Sequence, residues 1–371
     1  MKKYNLFFLL MSISCAALAQ QTNYNLLIGT YTNTPAKSEG IYTYNFNTST
    51  ANAKLKFTTK DVANPSYIAI SPDKKFAYVV NETGNTSTVS AFKYNATTGA
   101  LLFINKVESE GADPCYITVD NDNVIVANYS GGSLAAFKRK ADGSLNSASL
   151  IIKHTGKSID PKGRQESAHV HMVKFTPDKK FLICNDLGED RVYIYSYHPK
   201  SKKQILVLKN ILSTNPGSGP RHITFAPNGK FAYLAHEFNG SITGYYYANG
   251  SLKKIQEIGT TPKGFEGRID GADIHVSADG KFLYETNRGD ANTISVFSIL
   301  STGILKFVET VSTLGKGPRN FSIDPSGKFL LVAHQYTNDV VIFKRNKITG
   351  KLTDSGKRIQ VAAPVNLIFT K

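Results

Sequence analysis

The chain has 371 residues, 44 Lys and Arg against 28 Asp and Glu, a formal charge of +16, and 41% hydrophobic residues. That hydrophobic content excludes a disordered or collagen-like chain, while length alone admits two domains or one large all-β unit. Three cysteines exclude a disulfide-stapled scaffold and the absence of Trp excludes a WD-type repeat; the positive balance raises nucleic-acid binding, to be judged by whether the charge forms a patch.

The first element is not part of a fold. Lys2 and Lys3 form a basic start, Leu6 to Ile13 a short apolar run, and Ala17-Leu18-Ala19 a small-x-small cleavage site before Gln20. Residues 1–19 therefore read as a signal peptide, too short to span a membrane, and 20–371 as the mature domain, periplasmic or secreted. Losing Lys2 and Lys3 lowers +16 to +14. Cys15 offers the alternative of lipid attachment, which Ser12, standing where such signals carry Leu, disfavours. Cys115 and Cys184 fall within strand-like runs and read as buried free thiols. No later stretch is long and apolar enough to span a membrane.

The rest of the chain repeats one plan. LLIGTYT opens it, followed by NPSYIAISPDKKFAYVVNE (Asn64 to Glu82), DPCYITVDNDNVIVANY, AHVHMVKFTPDKKFLICND, GPRHITFAPNGKFAYLAHE (Gly219 to Glu237), ADIHVSADGKFLYETNR and GPRNFSIDPSGKFLLVAHQ (Gly317 to Gln335). Each later copy is an apolar run, a tight turn, a second run ending in Asn or His, a third strand such as SITGYYYAN, and a TG-x-L or GSL hairpin. The residues ending the second strand are Thr30, Asn81, Asn128, Asn185, His236, Asn287 and His334, spaced by 51, 47, 57, 51, 51 and 47. The N-terminal unit lacks a first strand and the C-terminal PVNLIFTK lacks a second, so the two ends complete one blade. The pattern predicts a single all-β domain, a seven-bladed β-propeller closed by its terminal strands.

In such a ring the start of each first strand and the end of each second strand share one face. One residue per blade then stands at the channel entrance: Ser66, Cys115, His171, Arg221, Ala272, Arg319 and Val365. The position after each anchor forms a second ring of Tyr31, Glu82, Tyr129, Asp186, Glu237, Arg288 and Gln335. Packing alone would fill equivalent positions with interchangeable residues, whereas these differ in chemistry from blade to blade. His171, Arg221, Glu237 and Arg288 are the candidate catalytic set. His169, Arg319, Glu82 and Asp186, with Arg164 and Arg268 from the long loops 154–167 and 261–270, are candidate substrate contacts. The plainer alternatives are solvated charges at a wet mouth or a structural ion-pair network. His169 and His171 alternate along one strand, but no carboxylate-rich partner accompanies them, and neither metal nor cofactor is expected. His222, His275 and His334 read as hydrogen-bonded core or rim residues.

No nucleophile elbow, zinc-protease helix, phosphate loop or dinucleotide fingerprint occurs. Lysines are scattered over turns in every blade rather than gathered in a stripe, which argues against nucleic acid. LIGTYT, SEGIYTYNFN, GADPCYI, ANYSGGS, AHVHMVKFTPD, NDLGEDRVYIY, GPRHITFAPNGKFAYLAHE, YETNRG and GPRNFSIDPSGKFLLVAHQ together resemble the lactonase family of seven-bladed propellers, along nearly the whole mature chain. That family includes bacterial 6-phosphogluconolactonase and the fungal carboxy-cis,cis-muconate lactonizing enzyme. The resemblance implies lactone hydrolysis at the channel mouth, with a small-molecule lactone as partner and His/Glu acid-base chemistry supported by Arg. The family's His, two Arg and Glu fall on His171, Arg221, Arg288 and Glu237. An export signal fits an unphosphorylated sugar lactone better than a cytosolic phosphorylated one. A lactonizing enzyme and a non-catalytic carbohydrate- or protein-binding propeller remain the alternatives.

Overall fold

The computed structural model describes residues 22–160, 163–262 and 264–371. The expected signal peptide and Cys15 lie outside them. Seven four-stranded sheets form, each joined by antiparallel pairing. Six are built from consecutive strands, and blades 2 to 7 begin with inner strands at Pro65–Ile70, Pro114–Val119, Val170–Phe175, Pro220–Phe225, Ile269–Val276 and Pro318–Ile323. Blade 1 is composite: Pro364–Thr370 pairs antiparallel with Asn23–Thr30, with Asn25 opposite Thr370 and Ile28 opposite Leu367. The fold predicted from the half-blades at the two ends is the one observed, and no edge is left open where the chain ends meet.

The burial pattern explains why the strands read as they do. Second strands such as Phe76–Asn81, Asn123–Asn128 and Phe231–His236 are buried at every residue. Each has a neighbouring blade on both faces, so continuous apolar runs replace alternation. Outer strands such as Leu206–Ser213 are largely exposed, and their apolar residues are isolated on the rim. The turn between first and second strands is also repeated. Ser71, Thr176 and Ser277 each accept from the backbone N–H of the Phe five residues on, at 3.0–3.2 Å. Lys74, Lys179, Gly229, Gly280 and Gly327 occupy the left-handed turn position.

One irregularity places the site. In six blades the inner strand skips a single residue in its register against the second strand: Ser66, Cys115, His171, Arg221, Arg319 and Val365. In blade 6 Ala272 and Asp273 stand opposite Thr286 alone between Gly271 and Ile274, again one residue in excess. A bulge of this kind frees a side chain from the ladder and re-aims it. The entrance ring is therefore a ring of bulges.

Candidate active site

Glu237 is the centre of the site. It follows the buried second strand of blade 5 and is 2% exposed. Three guanidinium groups converge on it from three different segments. Arg221 Nε lies 3.0 Å from Oε2, Arg288 Nη2 3.0 Å from Oε1, and Arg164 Nη2 2.7 Å from Oε1. Burial alone would raise the Glu237 carboxyl, but Arg288, Arg164 and Arg221 hold it down to about 2. Glu237 is thus an ionised anchor at neutral pH. An ionised carboxylate among three cations is placed to orient the arginines around it.

The three arginines are held differently. Arg221 is buried; its Nη1 donates a short hydrogen bond to the Ala272 carbonyl and lies 3.4 Å from His222 Nε2. Burial and then Arg288 lower it to about 10, so it stays protonated at neutral pH. Its Nη2 has no protein partner among the described residues. Arg288 also reaches the Gly271 carbonyl at 3.4 Å. Arg164 lies over the Phe238 ring at 4.7 Å and is the most accessible of the three, at 38% of its side chain. Gly271 makes this convergence possible, because a Cβ there would meet the His236 carbonyl oxygen at 2.4 Å.

His171, at its bulge in blade 4, is buried and its Nδ1 has no hydrogen-bond partner. Its ring stands edge-on to Tyr129 at 5.6 Å and to His222 at 5.2 Å. Burial, then Arg221, pushes it well below the usual histidine range, so the imidazole is neutral. Arg319, Arg221, His222, Cys115, Ser66 and Val365 border a cavity of about 10 Å³ beneath the mouth, roughly the volume needed for one water. A cavity of about 640 Å³ lies elsewhere, between the outer parts of blades 1 and 2 beside Phe57, Phe92 and Phe103.

The remaining sequence candidates divide. Arg319 lies over the Tyr31 ring at 5.5 Å, and Tyr31 donates to Glu82 at 2.8 Å, forming a second polar group across the mouth. Arg268 is largely exposed and pairs with Asp270 at 3.1 Å instead of reaching Glu237. His169 is engaged: Nδ1 meets the Tyr129 carbonyl at 3.0 Å and its ring stacks on Tyr129 at 4.5 Å. The bulge at His171 breaks the alternation that put the two histidines on one side.

Asp186 is not brought to the cluster. One oxygen accepts from the backbone N–H groups of His169, Gly188 and Glu189, and the other meets His154 Nδ1 at 2.6 Å. Glu189 accepts from Gly156 N and Tyr193, and Asp190 from Ser158 and Gly219 N. His154, Asp186 and Glu189 bring ligand-type atoms within 4.8 Å of one another, yet these atoms bond within the protein. Together they tie down the loop that delivers Arg164.

Sequence reasoning missed Asp270, Phe238 and above all Asp273, which is 2% exposed and bonded to two histidines. The available signal was its rank in the strand, where other blades carry Tyr67, Tyr116, Met172, His222, Asn320 or Asn366.

The buried ionisable groups share one pH consequence. Burial lowers His222 to about 3 and His236 to about 4, and Glu237 sits at about 2. Below pH ~6.5 the unfolded histidines take protons that the folded ones refuse, and below pH ~4.5 unfolded Glu does the same. Each group costs about 1.4 kcal/mol of stability per pH unit across its window. The melting temperature is expected to be level above pH ~6.5 and to fall steeply from there to pH ~4. A flat profile by scanning calorimetry across that range would contradict this electrostatic account.

Similarity to known proteins agrees with the geometry. Residues 25–369 match the model of the lactonase family, 7-bladed beta-propeller. The 6-phosphogluconolactonase of Bacillus subtilis is 36% identical over 94% of this chain and 99% of its own length. A crystal structure described as a putative 6-phosphogluconolactonase from Bacteroides fragilis is 40% identical, with a TM-score of 0.90 over 95% of this chain and 99% of that one. The Pseudomonas aeruginosa periplasmic gluconolactonase PpgL is 34% identical, with a TM-score of 0.90 over 94% of this chain and 99% of that one. The chain belongs to the lactonase family of seven-bladed β-propellers.

Proposed function

We propose that the protein hydrolyses a sugar lactone to the aldonic acid at the channel mouth. The observation that carries this reading is one buried carboxylate ringed by three guanidinium groups, beside an imidazole whose Nδ1 is free. Neutral His171 takes a proton from water as the water oxygen bonds to the lactone carbonyl carbon. The carbonyl oxygen gains the charge and is met by the unpartnered Nη2 of Arg221. Collapse breaks the bond to the ring oxygen, which receives the proton from His171. An imidazole this hard to protonate is a strong acid once protonated, which suits the second transfer. Arg288 and Arg164 face the carboxylate that forms, and ionised Glu237 keeps the three cations together.

The substrate proposed is an unphosphorylated sugar lactone met outside the cytosol. The basic, apolar, small-x-small N-terminus supports export, as does the similarity to a periplasmic gluconolactonase. No helix among the described residues is long and apolar enough to cross a membrane. Acid release in a pH-stat tests the reading, with gluconolactone and its 6-phosphate compared side by side. Faster release from the unphosphorylated lactone is expected. Release from neither would overturn hydrolysis in favour of a binding role, and preference for the phosphate would overturn the substrate assignment.

A further inference from the structure

In blade 6 the bulge sets Ala272 and Asp273 opposite Thr286 alone. It places the Ala272 carbonyl and the Asp273 carboxylate side by side, facing the inner strand of blade 5. Arg221 Nη1 donates to the first, and His222 Nδ1 lies 2.9 Å from Oδ1 of the second. Asp273 is held from its other side too: Oδ2 accepts from Asn320 Nδ2, from Phe321 N at 3.3 Å and from His275 Nε2 at 2.8 Å. Its own N–H donates to Thr286 Oγ1 at 3.1 Å. No freedom is left in this carboxylate.

The tautomer of His222 follows. Burial opposes ionisation of Asp273, but His275 and His222 outweigh it and keep the carboxyl ionised, so it can only accept. His222 therefore carries its proton on Nδ1 and presents the Nε2 lone pair to Arg221 Nη1, 3.4 Å away. Both N–H groups of Nη1 are then directed, one to the Ala272 carbonyl and one to His222. Nη1 is thus held at two points, Nε stands in an ion pair with Glu237 at 3.0 Å without a hydrogen bond, and Nη2 is left without a partner among the described residues.

We propose that Asp273 and His222 are positioning residues for the hydrolytic reaction, acting through the tautomer of His222 to aim Arg221 Nη2 at the developing oxyanion. The proposal rests on the lactonase reading above for its kinetic part only. In the Asp273→Asn variant an amide N–H faces His222 Nδ1, the ring takes the other tautomer, and its Nε2–H then opposes the Arg221 Nη1–H. A misaimed oxyanion donor costs about 10²-fold in kcat with KM changed by less than about threefold. His222→Gln, whose carbonyl still accepts from Nη1, is expected to retain kcat within about tenfold, whereas His222→Phe loses as much as Asp273→Asn.

The experiment pairs steady-state kinetics on the turned-over lactone with ¹⁵N-detected histidine NMR of the wild type and the variants. An Nδ1–H tautomer for His222 in the wild type, an Nε2–H tautomer in Asp273→Asn, and a selective loss in kcat are the results expected. An Nε2–H tautomer in the wild type overturns the inference, as does undiminished kcat in Asp273→Asn. Equal kcat in His222→Gln and His222→Phe overturns it as well, and that pair decides the matter if Asp273→Asn does not fold. A wild type that hydrolyses no lactone would count against the functional reading instead, leaving the tautomer measurement to decide the positioning of Arg221.

Discussion

Replacing Glu237 with Gln is expected to lower kcat/KM at least 10³-fold and to cost about 3–5 kcal/mol of stability, the penalty for leaving buried charge without its partner. The change is nearly isosteric, so packing is preserved while the charge is lost. Arg221 and Arg288, 2% and 12% exposed at their side chains, would then face one another without the carboxylate between them. Arg164, tied to the same oxygen at 2.7 Å, would lose its anchor and with it the end of its loop. Both effects arise from one atom pair, so kinetics and melting temperature should change together. Chloride or added carboxylate would partly restore stability by occupying the vacated charge. A Glu237→Gln protein with native melting temperature and native turnover would show that the three ion pairs serve neither stability nor catalysis.

His171→Ala separates chemistry from stability. The rate constant is expected to fall about 10²-fold or more, the usual share of a general base, while the ring stays folded. Nδ1 of His171 has no hydrogen-bond partner among the described residues, so no hydrogen bond there is broken. Removing a buried imidazole that resists protonation also removes one source of acid sensitivity. The variant's melting temperature should therefore fall less between pH ~6.5 and ~4 than that of the wild type. The wild-type rate should likewise hold on the acid side below pH ~6.5, because burial and Arg221 keep His171 in its basic form. Unchanged turnover in His171→Ala would remove this residue from the mechanism.

How much of this was legible in the sequence follows from what repeats. Blade number, closure and the ring at the mouth come from spacing between Thr30, Asn81 and their counterparts, because every unit must solve the same packing problem with the same turn. The convergence on Glu237 is partly visible for the same reason: equivalent positions are neighbours in a ring. Arg164 was visible only as a charged residue in a long loop, since nothing local says that Phe238 will lie under its guanidinium. Asp186 misled for a physical reason. It occupies the rank of Glu237, yet backbone N–H groups within its own turn and His154 from the loop capture it before it can face the channel. Asp273 was missed because its meaning depends on His222 and Asn320 of the neighbouring blades, contacts that one strand's sequence does not carry.

The composite blade has a consequence for the order in which this molecule can come into being. Pro364–Thr370 lies more than 330 positions along the chain from Asn23–Thr30, yet it supplies the inner strand beside it. Asn320 Oδ1 accepts from Leu367 N, and Asn366 Oδ1 accepts from Ile68 N, so this strand also laces blade 7 to blade 2. Tyr31, at the start of the chain, meets Arg319 near its end only across that seam. Until Pro364–Thr370 pairs with Asn23–Thr30, the disc is an open arc with two bare sheet edges and a mouth missing one wall. Such an arc is slack, and its mouth closes in the same step that locks the ring shut.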